Sequence, residues 1–382
     1  MTNASRRVGT IPGMSAPAPD GSPPGVSVIL PVRDEERHLR AAVAQVLDQS
    51  YAGPYEVVLA VGPSGDRTRE IADELAAGDH RVVVVDNPSG RTPAALNRAV
   101  AAAEHEILVR VDGHSEIGRD YVARAVRTLT ETGAANVGGM MIPVGVTPFE
   151  QAVARAMSSP LGIGSASFHT GGPAGPAPTV YLGVFRRDAL ARVGGFDESF
   201  IRAQDWELNH RLRSAGEVVW FDPELAVTYR PRGSWRALAR QFYGTGRWRR
   251  QVIRTYPETA SVRYLAPPAA VVGVAVGTVV AVAGAVLGPR WLLAAAAAPA
   301  GYLATILVGS LVVSRGMTWS ARLWLAPVVA TMHMAWGAGF LRGVGTIVAL
   351  PPGEGHYPES AQGSGSGNDD APAGPKLTVT ED

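Results

Sequence analysis

Two short phrases hold the side chains with the most chemical promise. Val109-Arg-Val-Asp-Gly-His-Ser115 ends an apolar run on Asp112 and His114. A carboxylate and an imidazole presented at one point suit a manganese- or magnesium-type ion that keeps open positions for phosphate oxygens. The competing reading is an ordinary turn aspartate. Arg202-Ala-Gln-Asp-Trp-Glu-Leu-Asn-His-Arg211 opens a helix with acid. There Asp205 either takes a proton from a hydroxyl or complements the helix dipole while Trp206 and Leu208 pack.

Two further phrases also carry two readings. Gly194-Gly-Phe-Asp-Glu198 reads on its own as a turn. Gln241-Phe-Tyr-Gly-Thr-Gly-Arg-Trp-Arg-Arg250 suits a membrane-surface helix with snorkelling arginines. Its alternative is recognition of phosphate or glycan.

Composition narrows the chemistry. The chain has 382 residues, a formal net charge of +1 and no cysteine. Thiolate metal sites, disulfides and a cysteine nucleophile are therefore excluded. The single lysine, Lys376, lies near the C-terminus, which removes the P-loop and Schiff-base lysines. Near-zero charge gives no global field for nucleic acid, and no nucleic-acid partner is expected.

The elements that must position these phrases alternate. Val26–Pro31, Glu56–Val61, Arg81–Asp86 and Glu106–Asp112 read as strands. Between them lie a helix with Asp34-Glu35-Glu36 in its first turn, a second over Asp66–Ala77, and a third from Thr92-Pro93 to Ala103. This order predicts an α/β domain with a mostly parallel, Rossmann-like sheet, its ligands bound beyond the carboxyl ends of the strands. Arg33-Asp34-Glu35 and Asp112 fall at such ends. Residues 134–230 are less regular and include a Gly/Pro loop at 171–178, read as either a lid or slack.

Beyond Tyr264 the pattern changes. Leu265–Leu287 and Trp291–Val313 carry no charge, and Trp324–Leu341 is interrupted only by His333. Runs of this length predict about three transmembrane helices. The Arg-dense stretch 230–263 before them predicts a cytoplasmic catalytic domain. The expected layout is a disordered lead over 1–24 rather than a signal peptide, a catalytic domain over 25–230, and an Arg/aromatic interfacial segment over 231–264. Membrane helices over 265–350 and a disordered tail over 351–382 complete it.

Taken in order, these phrases resemble the family 2 glycosyltransferases of GT-A fold, over about 26–250. Pro31-Val-Arg-Asp-Glu-Glu36 resembles the family's P-x-x-N-E opening, and Gly65-Asp-Arg-Thr68 its S-x-D-x-T turn. Asn87 to Asn97, with Gly90 and Arg91, resembles the segment after the third strand. Asp112-Gly-His114 stands at the D-x-D position and Gly194–Glu198 at the G-G-F-D-E run. Gln204-Asp205 stands where an E-D pair carries the base. Val61-Gly-Pro-Ser-Gly-Asp-Arg-Thr68 and Tyr181-Leu-Gly-Val-Phe-Arg186 look most like succinoglycan-biosynthesis-type enzymes. Three departures stand out: Val61-Gly62 in place of base-binding acids, His114 in place of the second Asp, and no Q-x-x-R-W spacing around Gln241 and Arg247-Trp248.

The resemblance implies an inverting hexosyltransferase of cell-envelope or exopolysaccharide synthesis in the plasma membrane, multi-pass, with Asp205 as base. A divalent Mn or Mg ion on Asp112 and His114 is implied as well. So are nucleotide-sugar contacts from Pro31, Arg33, Glu35, Asp66, Arg91, Asn97 and Asp112, a UDP-sugar being favoured. Gln204, Trp206, Arg247 and Trp248 fall on the acceptor or phosphate side. The acceptor implied is a lipid-linked glycan or polyprenyl phosphate. A non-catalytic nucleotide-sugar scaffold and a processive synthase are the alternatives.

Overall fold

The computed structural model describes residues 22–345 and two short paired strands, Ile347–Val348 and Thr378–Val379. Nearly all of the expected lead and tail therefore falls outside the described residues. The chain forms two compact units: one comprises the described residues up to Met140 with Gly172–Val227, the other Met141–Gly171 with the described residues from Thr228 on.

The chain opens β1 (Val26–Val32), α1 (Leu39–Leu47), β2 (Tyr55–Val61), α2 (Thr68–Gly78), β3 (Val82–Asp86), α3 (Thr92–Ala102) and β4 (Ile107–Arg110). It continues with β5 (Glu116–Ile117), α4 (Tyr121–Thr132), β6 (Asn136–Pro143), α5 (Pro148–Met157), α6 (Pro160–Ile163), α7 (Ser167–Thr170), β7 (Gly175–Pro176) and β8 (Tyr181–Arg186). Then follow α8 (Arg187–Arg192), α9 (Gln204–Ser214), β9 (Val219–Tyr229), α10 (Trp235–Thr255), α11 (Ala266–Leu287), α12 (Ala297–Val313) and α13 (Trp319–Arg342).

The strands order as β3-β2-β1-β4-β8-β6-β9-β5, with β7 on β9. The first four are parallel, as the strand–helix alternation predicts. Val28, Leu30, Val57, Leu59 and Val109 are fully buried, since helices cover a parallel sheet on both faces. From β8 on the pairing turns antiparallel, in the region the sequence left irregular. The Gly/Pro loop is partly sheet: Gly175 and Pro176 pair with Phe221 and Trp220.

One expected helix start is corrected. Asp34-Glu35-Glu36 lies ahead of α1, which begins at Leu39. Asp34 adopts a left-handed φ of 54°, and its carboxylate accepts from Gly65 N at 2.8 Å. Glu35 N donates to Thr68 Oγ1 (2.7 Å) and Glu36 N to Asp66 Oδ2 (3.1 Å). The β1–α1 loop is thus clasped to the β2–α2 loop before the chain can turn helical.

The second unit is helical. Three helical stretches, Val262–Leu287, Arg290–Val313 and Trp319–Arg342, are long and apolar enough to cross a membrane. The third is longer than the uncharged run that announced it and contains Pro327. Helix α10 packs on α13 through glycines: a Cβ on Gly246 would meet Trp336 O at 2.0 Å, and one on Gly339 would meet Tyr243 O at 2.0 Å. Gly337 likewise admits Pro267 O, at 2.5 Å from a Cβ placed there. Small residues let helix backbones approach this closely.

Candidate active site

Strand β4 is apolar except for one residue. Val109 and Val111 are fully buried, while Arg110 and Asp112, two apart, share the alternate face. Arg110 Nε donates to Asp112 Oδ1 at 3.0 Å, and its Nη1 donates to Asp205 Oδ1. The arginine side chain is 3% exposed, and the two carboxylates are 21% and 26% exposed. One buried guanidinium therefore holds the strand-end carboxylate and the helix-borne carboxylate together.

Asp205 arrives from the first turn of α9, which Leu208 and Leu212 anchor in the core. Asn209 of the same helix accepts from Asn136 Nδ2 (2.6 Å) and donates to Thr179 Oγ1 (3.0 Å). Glu207 is buried against Arg211, whose Nη1 donates to Val193 O at 2.5 Å. The helix start is shaped by Ala203, in the left-handed region at φ 61°. These contacts fix the orientation in which Asp205 meets Arg110.

The electrostatics follow from two acids sharing one base. Burial opposes the charge on Arg110, but Asp112 and Asp205 more than offset it and raise its pKa. Asp205 is raised above the usual carboxylate range, first by burial; Asp112 adds to this and Arg110 opposes it. A carboxylate moved upward in this way suits a general base.

His114 is oriented by a third acid: its Nδ1 lies 2.7 Å from Glu35 Oε1, a carboxylate 15% exposed. A carboxylate on one ring nitrogen is the usual support of a metal-ligating histidine. Among the described residues, no three His, Asp or Glu side chains gather as a self-sufficient metal cage. Asp112 and a carboxylate-backed His114 fit instead an ion completed by phosphate oxygens and water, as hard divalent cations prefer.

The other expected residues fall in several settings. Pro31 lies within β1, paired in register with Ala60. Arg33 is exposed, pairs with Asp34 at 3.4 Å, and reaches Gly90 O at 3.4 Å. Asp66 is spent on the clasp, accepting from Thr68 N and Thr68 Oγ1 as well as Glu36 N. Its pKa is lowered, chiefly by the Thr68 hydroxyl. Asn97 exchanges two bonds with Phe196, Nδ2 to O at 2.8 Å and N to Oδ1 at 2.9 Å, so α3 holds the Gly-Gly-Phe-Asp-Glu turn. The carbonyl of Arg91 accepts from Asn87 Nδ2 at 3.1 Å. Gln204 opens α9, and Trp206 stacks on His210 at 5.7 Å. Arg247 and Trp248 belong to the other unit, where Arg247 Nε donates to Gly343 O (2.8 Å) and Trp248 is buried.

At the second-strand departure, Gly62 sits in a tight space. A Cβ on Gly62 would lie 3.2 Å from Gly90 Cα, 3.6 Å from Arg33 Cβ and 3.6 Å from Asn87 Nδ2. Gly90 itself needs φ +64°. Sequence reading overlooked Arg110, though a lone charge inside Ile-Leu-Val-Arg-Val is a signal: a buried arginine demands acidic partners.

The comparisons address the family and the fold. Residues 27–194 match the family model "Glycosyl transferase family 2". The "Succinoglycan biosynthesis protein ExoA" of Rhizobium meliloti (strain 1021) is 34% identical over 321 residues, covering 82% of this chain and 93% of that protein. Among solved structures, the mannosyltransferase PcManGT from Pyrobaculum calidifontis, in complex with GDP-Man and Mn2+, aligns with a TM-score of 0.53. That alignment is 21% identical and covers 86% of this chain and 90% of the other, which supports the GT-A-like fold. With the ordered motifs, the sheet and three apolar helices in agreement, this chain belongs to the family 2 glycosyltransferases, in their succinoglycan-biosynthesis type.

Proposed function

We propose that this glycosyltransferase of exopolysaccharide synthesis moves one hexose, with inversion, from a nucleotide diphosphate-sugar to a lipid-linked acceptor at the cytoplasmic face of the plasma membrane. The observation that carries the reading is the meeting of Asp112 and Asp205 on Arg110, which brings a donor-side and an acceptor-side carboxylate to one point.

In this reading Asp205 accepts the proton of the attacking hydroxyl, its raised pKa suiting it to hold that proton. Arg110 keeps the carboxylate aimed. Gln204 and Trp206, beside Asp205 at the start of α9, are assigned to the acceptor or phosphate side, as are Arg247 and Trp248 by the resemblance. Arg33, Glu35, Asp66, Arg91, Asn97 and Pro31 shape the nucleotide side, with the clasped loops as its base. Asp112 and His114 would hold a Mn or Mg ion, which supplies neutralisation of the leaving diphosphate when bound. The ion in the PcManGT complex and its GDP-Man support a metal and a nucleotide-sugar donor here. Three apolar helices support a multi-pass membrane protein that meets its acceptor at the bilayer. The Arg-rich stretch before the first favours a cytoplasmic catalytic domain.

The test is transfer by detergent-purified full chain. UDP-, GDP- and dTDP-sugars are screened with manganese or EDTA, with and without a membrane lipid extract. Metal-dependent passage of a single sugar into the lipid fraction is the expected result. Equal transfer to a water-soluble oligosaccharide overturns the acceptor, and a polymeric product overturns single addition.

A further inference from the structure

Helices α10 and α13 run side by side in the same direction. Trp235, at the head of α10, packs on Trp324 near the head of α13, ring centroids 6.0 Å apart. Farther along, Gly246 lies against Trp336 and Phe340, and Gly339 against Tyr243. Near the ends Arg247 Nε donates to Gly343 O at 2.8 Å, and Arg250 Nη1 donates to Phe340 O at 3.1 Å and to Leu341 O. From Trp235 to Arg250 the partners advance from Trp324 to Leu341. The two heads therefore share one level and the two ends another.

This parallel pairing limits how often the chain can cross a bilayer. If α13 crosses, α10 crosses beside it in the same direction, and α11 starts on the far side. Crossings by both α11 and α12 then return the chain to that far side. Yet α13 has to start beside Trp235, on the near side. Three crossings by α11, α12 and α13 are thus incompatible with the pair. Crossings by α11 and α12 alone suit it, because the end of α10 and the head of α13 then fall on one side.

Charge favours that solution over a pair that crosses with only one of α11 and α12. Helix α10 carries Arg236, Arg240, Arg247, Arg249, Arg250 and Arg254 and no acid. Arginine is among the costliest residues to place in hydrocarbon. Arg236 and Arg254 are both exposed, and the helix between them is about 27 Å long, close to the depth of a bilayer core. Helix α13 has no exposed residue from Leu325 to Phe340, and Trp324 meets Phe149 of α5 at 5.5 Å. Its neighbours are helices, one of them arginine-rich. On α11, by contrast, Val272, Val276 and Val279 are 47%, 55% and 68% exposed, as lipid contact requires. An arginine-bearing amphipathic helix belongs at headgroup depth, its charges turned to anionic lipid.

We propose that α10 and α13 lie together along the bilayer surface, on the side where the chain arrives from β9, and that α11 and α12 alone cross. The chain then leaves α13 on the side where it entered. This placement rests on α11 and α12 crossing, and is independent of the sugar and of its acceptor.

The chain has no cysteine, so one introduced thiol reports its own side. Full-length Glu131→Cys, Pro289→Cys and Gly345→Cys variants are treated with a membrane-impermeant maleimide in right-side-out and in inverted membrane vesicles. Glu131, exposed on α4, marks the catalytic side, and Pro289 is exposed between α11 and α12. A side chain at Gly345, just past α13, meets open space. Gly345→Cys is expected to label in the same vesicles as Glu131→Cys, with labelling lost in the opposite ones, where Pro289→Cys labels. Arg342→Cys, exposed at the end of α13, repeats that reading should Gly345→Cys fail to fold. Labelling of the α13 end on the side opposite Glu131→Cys means that α13 crosses, and overturns the placement. Labelling of Pro289→Cys on the Glu131 side overturns its premise, that α11 and α12 cross.

Discussion

At the end of β4, Arg110, Asp112 and Asp205 are drawn together by buried charge, whereas between α10 and α13 Gly246 and Gly339 let bare backbones touch. Both arrangements bring distant stretches of chain into close contact. The first is directional and titratable, and loses its balance when any one partner is removed. The second is indifferent to pH and salt, and one added methyl group disturbs it. In the proposed reading, chemistry sits where the contacts can change with protonation, and anchoring sits where they cannot.

That contrast breaks most visibly at Asp205. Asp205→Asn should lower transfer by about 10²–10⁴-fold, the usual worth of a general base, while nucleotide binding persists. Turnover close to wild type in a single-turnover assay would remove Asp205 from the chemistry. Next comes Arg110→Met, which strands two partly exposed carboxylates and should cost up to about 3 kcal/mol of stability by thermal or denaturant unfolding, the lower end for a buried pair. Arg110→Lys, a point charge without the fork, should recover only part of it. Adding Asp205→Asn to Arg110→Met should return some stability, because one uncompensated charge disappears; strict additivity would mean the two residues are not coupled.

The glycine side should yield less. Gly339→Ala pushes a Cβ onto Tyr243 O and is expected to cost about 1–3 kcal/mol, equally at pH 6 and pH 8. A pH-dependent loss would blur the distinction drawn here. On the charged side, Asp205 as the proposed base, with its raised pKa, should set the acid limb of kcat/KM. The base works ionised, so activity should fall away as pH drops through a value above the ordinary carboxylate pKa of about 4.

The smallest effect sharpens the comparison by an exception. His169, in the helical unit, is pushed down to about 4 by burial. Its folded pKa is below the unfolded one, so its stabilising effect is complete above about 6.5 and disappears as pH falls toward about 4. His169→Gln should remove that pH-dependent loss, so that the profile of stability against pH flattens across the window.

Much of this was legible in the residues. Hydrophobic strands with helices between them announced the parallel half of the sheet, because burial on both faces leaves a continuous apolar run. Asp205 announced itself as an acid opening a helix. The antiparallel half was harder: β6, β8 and β9 pair across long sequence separations, and short-range periodicity does not encode partners. The start of α1 was misread because the fate of Asp34 is decided thirty residues away, at Ser64 and Gly65. Arg110 was missed because its meaning lies in Asp205, 95 positions later.

The tight meeting of Gly62 and Gly90 also constrains how this lineage can change. An acid restored at 62 would press its Cβ against the backbone of a loop that already depends on a left-handed glycine. A carboxylate at this position therefore asks the 87–90 loop to give by a few tenths of an ångström. Any ancestor or descendant bearing an acid at 62 should also carry a changed loop. The two sites are sterically coupled through this contact.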